Sequence, residues 1–586
     1  MTLIVPPRLD RRAMMAGAGA LAGSAFLGTP QAMAQTTRAH AGQGADLIFT
    51  GGPILTIEDG APVAEAVAVR DGVIVAVGSL DAARAAVGRS ARVVNLDGRT
   101  LLPGFFDPHG HVSMVGLQAR YANLLPAPDG EGDDIAALQR ITRQWMAGHE
   151  ALIRDTGLVI GFGYDDSQLK ERRHPTRAEL DAISDSVPIL FLHQSSHMGS
   201  ANTPALAAAS VTAATADPDG GVFRRQDGSR EPNGVMEETA LFMVMGALFT
   251  RLDAEANIQM LSEGAAYYAR FGYTTCQDGR TSADTCRLTA IAAERGLLPI
   301  DVLGFPDILA SPEAMSLPSY RSNYVGRFRI GGAKLTLDGS PQAKTAWLSQ
   351  PYYVPPEGQP AAYRGYPSVT EQQALDAVDL AFRNDWQIQV HANGDAAIDL
   401  LISCVRDATR RNGVKDRRPV LIHGQTTRED QVDELKALGI VPSFFPMHTF
   451  YWGDWHRDSV LGPRRAENIS PCGWALERGM RFTSHHDAPV ANPDAMRVLS
   501  ATVTRRTRTG DILGPNQRVP VDVALKAMTL WAAWQHYEDD RKGSLAVGKL
   551  ADLALLSDNP MTIDPDRLAE IKVSSTFKEG VEVWSL

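Results

Sequence analysis

The chain has 586 residues, 44% hydrophobic and 21% charged, and its 57 Lys and Arg against 68 Asp and Glu give a net charge of −11. That length exceeds one small core and implies roughly two to four domains, or one α/β barrel with additions. An acidic balance with no long basic run gives a nucleic acid or an anionic membrane surface no footing as partner.

Residues 6–35 read "PPRLDRRAMMAGAGALAGSAFLGTPQAMAQ", in which Arg11-Arg12 precede a mild Ala- and Gly-rich apolar stretch and an Ala-Met-Ala before Gln35. The pattern predicts a twin-arginine signal cut after Ala34, and hence a periplasmic or secreted protein exported already folded. Asp10 before the pair and Met14-Met15 after it make the motif imperfect. The apolar stretch is too short to span a bilayer.

From 45 to 103, "ADLIFTGGPILTIED", "EAVAVRDGVIVAVGS" and "ARVVNLDGRTLLPG" predict short strands separated by Gly, Asp and Asn turns. Residues 536–586 repeat that texture in "GSLAVGKLADLALLSDNP" and "IKVSSTFKEGVEVWSL", so the two ends are expected to form one composite β-sandwich. Between them, 104–535 alternates apolar strand-like runs with helical periodicities such as "EQQALDAVDLAFRND" and "REDQVDELKALG". Eight such runs, "LLPGFFDPHGH", "GYTTCQDG", "LPIDVLGFP", "RIGGAKLTLDG", "WQIQVHANGD", "RPVLIHGQ", "VPSFFPMH" and "RFTSHHDAP", predict an α/β fold, a (β/α)₈ TIM-type barrel. Residues of about 113–258 break the repeat after the first strand and are expected to be an insertion capping the catalytic end. Cys276, Cys286, Cys404 and Cys472 are too scattered for a disulfide framework and are expected to be buried thiols.

His109 and His111 lie two apart at the end of an extended run, so their side chains share a face, at the barrel mouth. Alone, such a pair also fits two polar residues satisfying a loop. Repetition makes it specific: His391 ends the fifth run, His423 the sixth and Asp487 the eighth, in a chain with only 14 histidines. Lys334 ends the fourth run, where a buried amine is costly unless paired or modified. Carbamylation by CO₂ would make it an oxygen ligand able to bridge two metals; a snorkelling lysine or a salt bridge is the plainer alternative.

These motifs, with "HMGSANTPAL", "GVMEE", "AKLTLDGS" and "GSLAVGKLADLALL", resemble the amidohydrolase superfamily over nearly the whole mature chain. The set is most similar to the amidohydrolase-3 branch, which includes N-substituted formamide deformylases, and "FFPMHTFYWGDWHRDSVLG" also resembles a secreted group described as exoenzyme regulatory proteins. The resemblance implies that His109 and His111 bind the more buried metal, His391 and His423 the outer one, carbamylated Lys334 bridges them, and Asp487 ligates beside the bridging water. It also implies a homodimer. The sequence departs from the pattern in "PQAKTAWL" after Ser340, and in His485 and His486 before Asp487.

Imidazole and carboxylate-like ligands suit zinc, with iron, manganese or nickel as alternatives and one or two ions per chain. A water between such cations loses its proton near neutral pH and attacks a carbonyl or imine carbon, with Asp487 as general base and then acid. The expected activity is hydrolysis of a small-molecule, non-peptide C–N bond: an N-formyl, N-acyl or cyclic amide. The same site also suits an ester or lactone, and the same fold a non-catalytic small-molecule-binding or regulatory protein. Substrate contacts are expected from His448, Tyr451, Trp452 and Trp455 after the seventh strand, as an aromatic wall or else a helix burying aromatics. His456 joins that stretch. His197 in the insertion is expected to reach substrate or to satisfy a turn, and His193, Tyr164, Asp165 and Asp166 lie in the same region. His40, His149 and His536 are expected to be surface or structural.

Overall fold

The computed structural model describes residues 46–218, 221–320, 323–356 and 358–586. The expected signal sequence, residues 1–34, and His40 lie outside the described residues. The chain forms two units, residues 46–130 with 253–586, and residues 131–252.

In the larger unit, an eight-stranded sheet takes strands from both ends of the chain. Its order is Val581–Ser585, Val573–Lys578, Leu553–Leu556, Thr100–Pro103, Leu47–Leu55, Val63–Arg70 and Val73–Gly78, with Arg92–Asn95 also paired to Leu47–Leu55. Alternation along the strands explains why both faces are apolar. Leu47, Phe49, Val67 and Val69 join Leu553, Leu555 and Phe577 in one core, while Ile48, Ala66 and Ala68 cover Ala83 and Val87 of helix Leu80–Val87. Ser79 caps that helix by accepting the Ala82 N–H.

Nine parallel strands follow, with their intervening helices, in an α/β arrangement. Phe105–Phe106, Tyr273–Thr281, Asp301–Pro306 and Phe328–Ile330 form one run; Ala333–Thr336, Ile388–Ala392, Val420–His423, Val441–Phe444 and Thr483–Ser484 form the next. A single parallel bridge between Asp307 and Lys334 joins the runs. Beyond the strand ends, the His111 N–H donates to Ala488 O at 2.9 Å, linking the loops after the first and last strands.

The run "LLPGFF", expected to be one barrel strand, is two. Leu101 and Leu102 pair with Leu555 and Ala554 in the terminal sheet, and only Phe105–Phe106 joins the parallel set. Gly104 makes the switch possible: a Cβ there would lie 2.3 Å from Thr274 Cγ2. Helix Val112–Arg120 then packs on Ala254–Ala269 within the same unit, with Gly116 so close that a Cβ would lie 1.8 Å from Met260 O. Residues 112–130 and 253–258 therefore belong with the larger unit, and the separate unit is narrower than the insertion expected from sequence. A buried ion network ties the terminal sheet to the parallel strands: Lys578 Nζ lies 2.6 Å from Asp301 and 2.8 Å from Asp552.

The 131–252 unit holds strands Gly221–Arg225, Pro232–Glu238, Met198–Ala201, Ile189–His193 and Val159–Tyr164, paired in that order. Asn202 organises it: its Oδ1 accepts from the Ile189 and Ala205 N–H, and its amide donates to Ser184 O and Val187 O. The four cysteines are buried and free, as expected.

Candidate metal centre

The first parallel strand delivers Asp107-Pro108-His109-Gly110-His111. Buried Asp107 accepts the His109 N–H at 3.0 Å and fixes the turn. Gly110 is required there, because a Cβ would lie 2.2 Å from the Tyr268 hydroxyl and 2.5 Å from Asp107 Oδ2. Gly279, on the second strand, holds both histidines in place. Its carbonyl lies 2.6 Å from His111 Nδ1, and a Cβ on it would lie 2.6 Å from His109 Cε1.

Both partners of His111 only accept, the Gly279 carbonyl at Nδ1 and the ionised Asp487 carboxylate at Nε2, so a single ring proton satisfies one of them. Burial lowers the affinity of this imidazole for a second proton. With that proton on Nδ1, at the shorter contact, Nε2 presents a lone pair 3.0 Å from Asp487 Oδ1. His109 Nε2 lies 3.2 Å from the same oxygen and 3.1 Å from Lys334 Nζ, and its Nδ1 is buried without a hydrogen-bond partner.

His391 is set in the same way. Gly339 O accepts both its Nε2–H, at 3.1 Å, and the Asn393 amide, at 2.9 Å, leaving the His391 Nδ1 lone pair 3.0 Å from His423 Nε2. Burial pushes the His391 imidazole down to about 3, so it is neutral. His423 Nε2 lies 3.9 Å from Asp487 Oδ2. Asp338, just before Gly339, shapes the turn after His391 by accepting the N–H groups of Asn393, Gly394 and Trp347 at 2.7 to 2.9 Å. His423 and Asp487 both have left-handed backbones, at φ +74° and +54°, a strain of about 1–3 kcal/mol each that the surrounding structure offsets.

His109, His423 and Asp487 thus bring ligand atoms within 4.8 Å of one another as a group that can hold a metal ion. A carboxylate and imidazole nitrogens, with the neighbouring His111 and His391 rings held by carbonyls on their far sides, suit a cation between them. Lys334 is fully buried beside them, and that burial pushes its amine down to about 7.

The residues expected to touch substrate are dispersed. His448 is buried against Phe445 and Trp452, with Nδ1 2.9 Å from His456 Nε2; Phe445 in turn packs on the His423 and His485 rings. Tyr451 donates its hydroxyl to Asp129 and receives Arg497 Nη1 at 3.2 Å, so its polar atom is spent in an ion-pair cluster. Trp452 is buried, and Trp455 is 38% exposed, its indole donating to Gln342 O. These residues form helix Met447–Trp455, which runs into a π-helical turn at His456–Val460. His197, in the 131–252 unit, pairs with Glu238 at 2.9 Å. That unit also holds a second His/Asp group, Asp165, Asp166 and His193, with Tyr164 bonded to His174. His149 is exposed, while His536 is buried and bonded to Gln277 and Gln535, hence structural.

Sequence reasoning passes over His485 as a site residue. Its Nε2 lies 3.1 Å from His423 Nδ1, and its Nδ1 3.0 Å from Ser443 Oγ. The only signal is an extra histidine before Asp487. The carbonyls of Gly279 and Gly339 carry no side-chain signal.

Parallel strands with intervening helices and a His/Asp cluster at the strand ends make this an α/β protein equipped to hold a metal ion. The sequence profile of the Amidohydrolase family matches residues 92–584, and the chain belongs to that family. It is 26% identical over 551 residues to the N-substituted formamide deformylase of Arthrobacter pascens, covering 92% of this chain and 98% of that protein. It is 29% identical to the exoenzymes regulatory protein AepA of Pectobacterium carotovorum subsp. carotovorum, over 67% of this chain and 83% of that one. In fold it is similar to an uncharacterized metal-dependent hydrolase from Pyrococcus horikoshii, with TM-score 0.71, 21% identity, and 89% and 99% of the two chains covered. No helix among the described residues is long and apolar enough to cross a membrane.

Proposed function

We propose that this protein hydrolyses a non-peptide C–N bond in a small molecule, an N-formyl, N-acyl or cyclic amide, at the centre formed by His109, His111, His391, His423, Lys334 and Asp487. One observation carries the reading: His111 lies between two acceptor-only groups, the Gly279 carbonyl at 2.6 Å and a buried Asp487 oxygen at 3.0 Å, a conflict that a cation between Nε2 and the carboxylate relieves. A divalent cation held there, zinc in the first instance, supplies Lewis-acid polarisation of the scissile carbonyl and acidifies a water.

The chain's own residues do the rest. Asp487 takes the proton of the attacking water on one carboxylate oxygen and delivers it to the departing amine nitrogen as the C–N bond breaks. The Gly279 and Gly339 carbonyls hold the His111 and His391 rings from behind. Lys334, buried and easily deprotonated, adds its amine to CO₂ and releases one proton, becoming a carbamate with two oxygen ligands. The formamide deformylase activity named for the Arthrobacter pascens relative supports the choice of bond.

Zinc-loaded protein incubated with matched N-formyl amines, N-acyl amines, cyclic amides, esters and lactones tests the proposal. Amine release is the expected result. Turnover of esters and lactones alone, or of nothing in the panel, overturns it. We also propose that Arg11-Arg12 direct export of the folded protein to the periplasm. Replacing both by Lys is expected to leave the precursor in the cytoplasm, and unchanged export would refute that route.

A further inference from the structure

We infer that His485, backed by Ser443, is a positioning residue that lets His423 present a bare Nε2 to the cation. The inference rests on the metal-centre reading above. His423 ends its strand with its ring buried; His485 and Ser443 are likewise buried, Ser443 on the next strand and His485 just past the end of the one after it. Three contacts run in a line: His391 Nδ1 to His423 Nε2 at 3.0 Å, His423 Nδ1 to His485 Nε2 at 3.1 Å, and His485 Nδ1 to Ser443 Oγ at 3.0 Å.

The far end of this line is fixed. His391 Nε2 meets the Gly339 carbonyl at 3.1 Å and the Asn393 amide at 3.2 Å. That amide already donates to the same carbonyl at 2.9 Å, and with the ring proton on Nε2 the His391 Nδ1 only accepts. Without a cation, the line satisfies every ring nitrogen in one direction. The Ser443 hydroxyl donates to His485 Nδ1, His485 Nε2–H donates to His423 Nδ1, and His423 Nε2–H donates to His391 Nδ1. A cation needs the His423 Nε2 lone pair, so that proton must leave. Reversing the line accommodates the change with no net gain or loss of protons. His423 then carries its proton on Nδ1 and donates to His485 Nε2, and His485 carries its own on Nδ1 and donates to Ser443 Oγ.

Only partners able both to donate and to accept permit either direction, and imidazole and hydroxyl have that property. A carbonyl behind His423, of the kind behind His111 and His391, would fix one tautomer. The line at His423 instead adapts to loading. A ligand histidine that loses the partner of its second nitrogen typically binds metal 10- to 100-fold more weakly.

The test is zinc affinity of the full chain by chelator competition, with the melting temperature of metal-free protein as a check on folding. His485→Phe is expected to lower the affinity about 10- to 100-fold, and His485→Gln, whose amide both accepts and donates, to restore most of it. Ser443→Ala is expected to fall between them. Equal affinities for wild type and His485→Phe would overturn the inference and leave the metal centre standing, as would a Gln variant as weak as Phe. Wild-type protein that binds no zinc, nickel or manganese would remove the metal centre, and this inference with it.

Discussion

Replacing Asp487 by Asn changes one oxygen for an amide group and leaves the shape of the side chain alone. Asp487 Oδ1 faces His111 Nε2 at 3.0 Å and His109 Nε2 at 3.2 Å. If this carboxylate shuttles the proton from water to leaving amine, its loss costs the general-base and general-acid contribution, about 10²- to 10⁴-fold in turnover. That corresponds to about 3–5 kcal/mol of barrier. The four imidazoles remain, so most of the bound metal is expected to stay. The geometry adds a second, opposite effect. In metal-free wild type the single His111 proton faces two acceptor-only partners, the Gly279 carbonyl and the Asp487 carboxylate, whereas the amide N–H introduced by Asp487→Asn donates to Nε2 and leaves the Nδ1–H for the carbonyl. Making that hydrogen bond is worth about 1–2 kcal/mol, so the metal-free variant is expected to melt higher than metal-free wild type. The assay pairs kcat/KM on the best amide of the panel with metal content of the same preparation and a melt in chelator. Wild-type activity in the variant would refute the shuttle, and a lower metal-free melting temperature would refute the conflict between the two acceptors at His111.

Three further outcomes follow from the structure. Exhaustive chelation is expected to abolish turnover and zinc to restore it, and zinc at about 100 times its dissociation constant is expected to raise stability by about 2.7 kcal/mol; activity that survives dialysis against chelator counts against the metal. Gly110→Ala drives a methyl to 2.2 Å from the Tyr268 hydroxyl and 2.5 Å from Asp107 Oδ2, and is expected to cost about 1–3 kcal/mol of stability and to weaken metal binding, checked by denaturant melts and chelator competition. Burial alone would raise the Glu538 carboxyl, but Lys542 and Arg329, each 2.6 Å away, hold it down to about 2 from an ordinary 4.5. Because the folded value is depressed, its contribution of about 3 kcal/mol is present above pH 4.5 and is lost as pH falls towards 2; Glu538→Gln should flatten that part of the stability profile, and an unchanged acid limb would refute the assignment.

The residues of the centre were legible because their types are few and their positions repeat. A histidine or aspartate closing an apolar run means the same thing at 109, 391, 423 and 487, wherever the intervening chain goes. The family was legible in the same motifs. Other features leave no such mark. Leu101-Leu102 and Phe105-Phe106 look alike as apolar pairs, and the partition between two sheets is decided by the close approach of Thr274 to Gly104. Tyr451 reads as a pocket aromatic until Asp129, 322 residues away in sequence, claims its hydroxyl. Ring protons are assigned by backbone carbonyls that belong to no residue type in particular, and His485 matters only because the loop before Asp487 turns it towards His423.

The sheet built from both termini also sets an order of events. Its central strand, Thr100–Pro103, leaves the ribosome long before Leu553–Leu556, the neighbour that covers one of its edges. Until then that edge offers unpaired amides and carbonyls to any passing strand. The edge therefore stays open until synthesis is nearly complete, and proteolytic loss of a short C-terminal piece would strip a whole side from that sheet.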